Sequence, residues 1–180
     1  MRNLLLAILL AVSIPLSSWA ISLNEIQSTP EKYIQLSEDT ESTLYLDTNS
    51  ITSIRYSPPY YTLQGEVYIV GYTRGLIAQH TMIFNYDYNR SFNSLMSEVI
   101  KTYPTYTNTQ LLDMIEARMK NNSGILFSCN KIDYYHFDGQ FIKSSNPNIQ
   151  GYKILYASGF QHIANSMFKK YYDLEFIPGI

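Results

Sequence analysis

The chain reads as an α+β domain: an antiparallel β-sheet meander of about five to six strands, packed with a C-terminal helix and one or two inserted helices. Three observations predict it. Leu63 to Tyr72 and His80 to Tyr88 alternate apolar and polar residues at a period of two, the signature of half-buried strands. Gly124 to Lys143 repeats that alternation around Asp138-Gly139, a dipeptide suited to a tight hairpin turn. Phe160, Ile163, Ala164, Met167, Phe168 and Tyr171 then recur at helical spacing.

The first twenty residues, MRNLLLAILLAVSIPLSSWA, have the plan of a secretory signal: Arg2, an apolar core from Leu4 to Val12, and small residues at Ser18 and Ala20. The apolar run is too short to span a bilayer comfortably. Residues 1–20 are therefore read as a signal peptide and 21–180 as a single domain. The expected address is secreted, periplasmic or cell surface, with no transmembrane anchor after cleavage. About 160 residues remain, enough for one core.

Ile21 to Thr43 is polar and irregular, with a short helix expected near Glu31 to Leu36. Thr43 to Leu46 is a short strand, and Asp47 to Ser50 a polar turn. Ile51 and Ile54 re-enter the core. Pro58 and Pro59 keep Ser57 to Tyr61 extended. In the long hairpin, Leu63, Val67 and Ile69 share one face, and Gln64, Glu66 and Tyr68 the other. Met82, Phe84 and Tyr86 line one face of its second strand. Ser94 to Thr102 is a short helix ended by Pro104. Gln110 to Lys120 is the next, capped by Asn108 or Thr109, with Leu111, Leu112, Ile115 and Met119 as its stripe.

In the meander, Ile125, Phe127 and Cys129 alternate with smaller or polar residues. Ile132, Tyr134 and His136 then alternate with Lys131, Asp133 and Tyr135. An Asp138-Gly139 two-residue turn would set His136 opposite Phe141 and Tyr134 opposite Lys143. Tyr152 to Tyr156 is extended. Ser158 and Gln161 have capping-box spacing at the start of the last helix.

Composition bounds the function. Removing Arg2 with the leader takes the formal charge from −2 to −3, and the Lys and Arg residues are scattered, which argues against nucleic acid as a partner. Cys129 is the only cysteine, so the chain cannot staple itself. It is a candidate free thiol, buried like an apolar residue, or an intermolecular one joined to a second chain. The 17 tyrosines suit strands with a partly wet face, and Tyr is also common at protein contacts. Tyr68, Tyr72, Tyr134 and Tyr135 are the candidate protein-binding aromatics.

No metal-ligand spacing, phosphate loop or nucleophile motif appears, so no catalytic, cofactor-binding or metal residue is assigned. His80, His136 and His162 read as packing or surface residues. Cys129 with His136 would be a thiol and its base only if the strand brought them together, and seven residues of strand and turn hold them apart.

Three segments, in order, resemble the surface-adhesin E family of exported bacterial proteins. They are Tyr45-Leu46-Asp47-Thr48-Asn49-Ser50-Ile51, then Phe127-Ser128-Cys129 with the strand to Asp138-Gly139-Gln140-Phe141-Ile142, and Ser158-Gly159-Phe160 through Phe168. The resemblance covers Leu44 to Tyr172 and implies an antiparallel sheet packed with helices at the surface or in the periplasm. Some relatives bind host matrix or serum proteins. The family's second Cys falls where this chain has Tyr171-Tyr172, so the alignment puts Tyr171 near Cys129. Adhesive members carry a lipid-anchor Cys that is missing near Ala20, and Asn89 to Ser123 reads as an insertion. The expected function is a non-enzymatic exported binding domain with a protein partner or a second copy. The alternatives are an envelope structural or homodimerising protein, and a small enzyme or enzyme inhibitor.

Overall fold

A computed structural model describes residues 21–178; the signal assignment to residues 1–20 lies outside them. The elements run α1 (Leu23–Ser28), β1 (Tyr33–Glu38), β2 (Ser42–Asp47), β3 (Thr52–Ser57), β4 (Tyr60–Gly71), β5 (Leu76–Asp87), α2 (Phe92–Thr102), α3 (Asn108–Asn121), β6 (Ile125–His136), β7 (Phe141–Ser145), β8 (Ile149–Lys153) and α4 (Gly159–Tyr172). Among the described residues the fold is α+β, with one antiparallel sheet of eight strands.

The sheet is built on three strands of twelve residues each, β4, β5 and β6, lying side by side. Their outer edges are shared. β3 pairs with the first half of β4 and β2 with the second, while β8 pairs with the first half of β6 and β7 with the second. β1 extends the sheet beyond β2. The count exceeds the expected five to six because Tyr33–Glu38 is a strand and because β3 carries little alternation of its own; β8, at Ile149–Lys153, lies earlier than the extended segment expected at Tyr152 to Tyr156.

The predicted faces of the β4–β5 hairpin are those observed. Leu63, Val67, Met82, Phe84 and Tyr86 enter the large core with Ile125, Phe127 and Cys129 of β6, under α2, α3 and α4. A smaller core on the opposite face gathers Ile21, Ile26, Tyr33, Tyr45, Tyr68, Val70 and Ile77 beneath α1.

Several local expectations are corrected. The first helix lies at Leu23–Ser28, where the Ser22 hydroxyl accepts from Glu25 N at 3.2 Å. Tyr33 to Glu38 is a strand instead, because the Tyr33 ring is buried against Tyr68. Ile54 is 58% exposed, turned outward by a register shift between Ser53 and Arg55. Thr107, not Asn108 or Thr109, caps α3, in a reciprocal box with Gln110. Leu112 is exposed beside the buried Leu111, Ile115 and Met119.

The β6–β7 turn also differs. Gly139 N donates to His136 O at 3.0 Å, and His136 N donates to Gln140 O at 2.9 Å. Gly139 alone of the pair has positive φ, at 92°. The loop is therefore a turn centred on Phe137 and Asp138, followed by a left-handed glycine, rather than a two-residue Asp-Gly turn. Tyr134 does face Lys143, but Phe141 faces Tyr135 instead of His136.

α4 crosses the large core diagonally. Near its start, Phe160 lies 4.7 Å from Phe127 of β6 between ring centroids. At its end, Tyr172 packs on Tyr61 at 5.2 Å, and its hydroxyl lies 3.3 Å from the Ser53 hydroxyl of β3. Tyr171 is therefore at the β3 end, with β4 and β5 between it and Cys129. Eleven residues of helix, about 16 Å, separate it from Phe160. The contact required by the family alignment is not made.

Candidate functional site

The diagonal of α4 leaves part of the large-core face uncovered. α2 and α3 lie at the end of the sheet where β5 leaves and β6 begins, since the chain connects them there. At the other end Ile69, Ala78, His80, Ile132 and Tyr134 are only partly covered. A cavity of about 370 Å³ opens between this surface and the start of α4, within the size range of small-molecule sites.

Its apolar walls come from six elements. Leu44 of β2, Ile69 of β4, Ile132 of β6 and Ile149 of β8 line the sheet side, and Phe160 and Ile163 of α4 face them. Met82 and Phe127 close the deep end. The bulge of β6 matters here. Lys131 pairs with Thr81 and Cys129 with Met82, so Asn130 is the extra residue. Without it, Ile132 would turn to the opposite face from Cys129.

The polar side chains that line the cavity are Ser37, His80 and Cys129. Burial pushes the Cys129 thiol up and the His80 imidazole down from their ordinary ranges, so both are held neutral. Cys129 is 1% exposed and its thiol donates to Lys131 O at 3.5 Å. Such a pair does not make a thiolate nucleophile, which needs a lowered thiol. His136 is farther away: it pairs with Leu76, six positions along β5 from the Met82 partner of Cys129, about 20 Å. The buried sulfur also has no path to a second chain unless the face opens.

The four candidate tyrosines do not form one patch. Tyr68 is 5% exposed inside the small core. Tyr135 lies on that same face with its ring 5.8 Å from Phe141. Tyr72 sits at the end of the hairpin, its hydroxyl 3.0 Å from that of Thr43 and its ring near Phe137. Tyr134 is on the cavity face, with Lys143 Nζ 5.4 Å from its ring centroid. His80, read from sequence as packing or surface, is the residue the cavity singles out. The signal was its place two positions before Met82 on one face of β5, but only the path of α4 leaves that position open.

Among the described residues no helix is long and apolar enough to cross a membrane, and no three His, Cys, Asp or Glu side chains gather as a metal ion would need. No protein-family model, curated protein or solved structure matches this chain.

Proposed function

We propose that the chain is an exported, non-enzymatic binding domain that holds a small apolar ligand in the cavity between α4 and the β4–β5–β6 face. The carrying observation is the cavity itself: apolar walls from six elements, enough room for a ligand, and a thiol and imidazole both kept uncharged. The leader-like first twenty residues support export.

The test is titration of the mature chain with N-phenylnaphthylamine, a neutral probe that fluoresces in apolar surroundings. Saturable binding of one probe per chain is expected, lost in Ile132→Arg while the melting transition remains cooperative. Unsaturable binding, or equal binding by the folded variant, would sink the proposal. Mass spectrometry of exported chain should find Ile21 at its N-terminus.

A second reading, self-association through a sheet edge, is favoured by β7 and β8. Both are exposed along most of their length and carry Phe141, Ile142 and Tyr152 into solvent. Unpaired strand edges with apolar side chains are templates for pairing. Light scattering across a range of concentrations separates a dimer from a monomer.

A further inference from the structure

The cavity face changes character along β5 and β6. At the deep end, Met82 faces Cys129 beside Phe127 and Ile163. Two residues along β5, His80 pairs with Ile132, which pairs with Ser145 of β7. Two further on, Ala78 pairs with Tyr134, and Tyr134 with Lys143. The distance from the Met82 row to the Ala78 row is about 13 Å. An apolar pocket therefore runs out toward an imidazole and, one row further on, a phenol and a primary amine that face each other.

Among the described residues, two of these groups lack a hydrogen-bond or ion-pair partner. Among the described residues, His80 makes no side-chain hydrogen bond, and Lys143 makes no salt bridge and lies only over the Tyr134 ring. The nearby carboxylates face elsewhere. Glu66 accepts from Thr81 at 3.0 Å and Asp133 from Ser144 at 2.6 Å, both on the opposite face. Glu38 accepts from Gln35 at 2.9 Å, and Asp138 caps Gln140 N at 2.9 Å in the turn. The residues that face the mouth from β1, β2 and β4 are Ser37, Leu44 and Ile69, none of them charged.

We infer that the ligand is a single-chain aliphatic carboxylate, its tail between Phe127 and Ile163 and its carboxylate held by Lys143 with His80. This rests on the cavity being the binding site. The tail gains by leaving water against apolar walls, and the head group meets a positive charge with no competing carboxylate. A neutral chain would leave Lys143 without a role, and a cationic head group would be repelled by it.

The experiment is displacement of N-phenylnaphthylamine by dodecanoate, dodecanol and dodecyltrimethylammonium, the ions below their micelle concentrations and the alcohol below its solubility limit. Dodecanoate should displace the probe at about tenfold lower concentration than dodecanol, a difference of about 1.4 kcal/mol, with the cation weakest. Lys143→Glu, at an exposed position, should abolish the preference for dodecanoate over dodecanol. Equal displacement by dodecanoate and dodecanol, or an unchanged preference in Lys143→Glu, overturns the head-group assignment and leaves the apolar site standing. If the probe binds saturably but no compound displaces it, the ligand assignment falls and the apolar site stands; if the probe does not bind, both proposals fall.

Discussion

The Tyr86 hydroxyl donates to the carbonyl oxygen of Ala164 at 2.8 Å, and neither residue is more than 2% exposed. This bond ties the end of β5 to the middle of α4. It sits within an aromatic cluster in which Phe168 lies 4.9 Å and Phe176 5.5 Å from the Tyr86 ring. The helix that roofs the cavity is therefore located by a buried polar contact as well as by apolar packing.

Tyr86→Phe keeps the ring and removes the donor. Unfolding by urea should show a loss of about 1–2 kcal/mol. Tyr86→Ala, which also leaves a void, should lose about 3–5 kcal/mol. A Phe variant as stable as the parent would mean that the bond does not help to hold α4.

Three glycines should separate close packing from backbone strain. At Gly124, with φ of 75°, an added Cβ would lie 2.3 Å from Arg90 Cβ, so Gly124→Ala should cost more than about 3 kcal/mol. At Gly75, with φ of 63°, the same atom meets nothing within 4 Å, so Gly75→Ala should cost only about 1 kcal/mol. Gly139→Val places a β-branched residue at φ of 92° and should lower the melting temperature clearly. Equal losses at Gly124 and Gly75 would contradict the close approach to Arg90.

Cys129 should resist a thiol reagent such as dithionitrobenzoate in the folded protein and react quickly in guanidinium. Burial both hides the sulfur and keeps it protonated. Non-reducing electrophoresis should show no disulfide-linked dimer. Rapid reaction in the native state would mean that the cavity face opens.

Two buried groups should give opposite pH dependences. His80 is held below its ordinary 6.5 by burial, so the folded chain binds fewer protons than the unfolded one just below that pH. Its contribution to stability should be lost as pH falls from 6.5. Glu66 is held above its ordinary 4.5, chiefly by burial and partly offset by hydrogen bonds from Thr81 and Gln79. Its contribution is present below 4.5 and lost as pH rises through its raised value. Melting temperatures across pH should therefore fall less steeply on the acid side in His80→Leu, and less steeply above 4.5 in Glu66→Gln. Profiles parallel to that of the parent would remove these assignments.

The alternation in β4, β5 and β6 and the stripe of α4 were legible because periodic burial leaves a periodic sequence. Leu63, Val67, Met82, Phe84, Ile125 and Phe127 were placed on their faces by spacing alone. Tyr33–Glu38 was missed because its burial comes from a ring across the sheet, Tyr68, rather than from a pattern within the segment. The β6–β7 loop was misread because Asp138-Gly139 serves two hairpin geometries, and only the pairing of Tyr135 with Phe141 chooses between them.

What the sequence determined by itself was therefore the class of fold, the long strands and the capped closing helix, since these depend on neighbours a few residues apart. The tertiary structure alone decided which residues form a site. Leu44, Ile69, His80, Ile132, Ile149 and Phe160 lie more than a hundred residues apart at the extremes and meet only because α4 crosses the sheet at a slant. That angle is set by Tyr86, Phe168 and Tyr172 packing against one another and their neighbours, long-range contacts that no local spacing encodes.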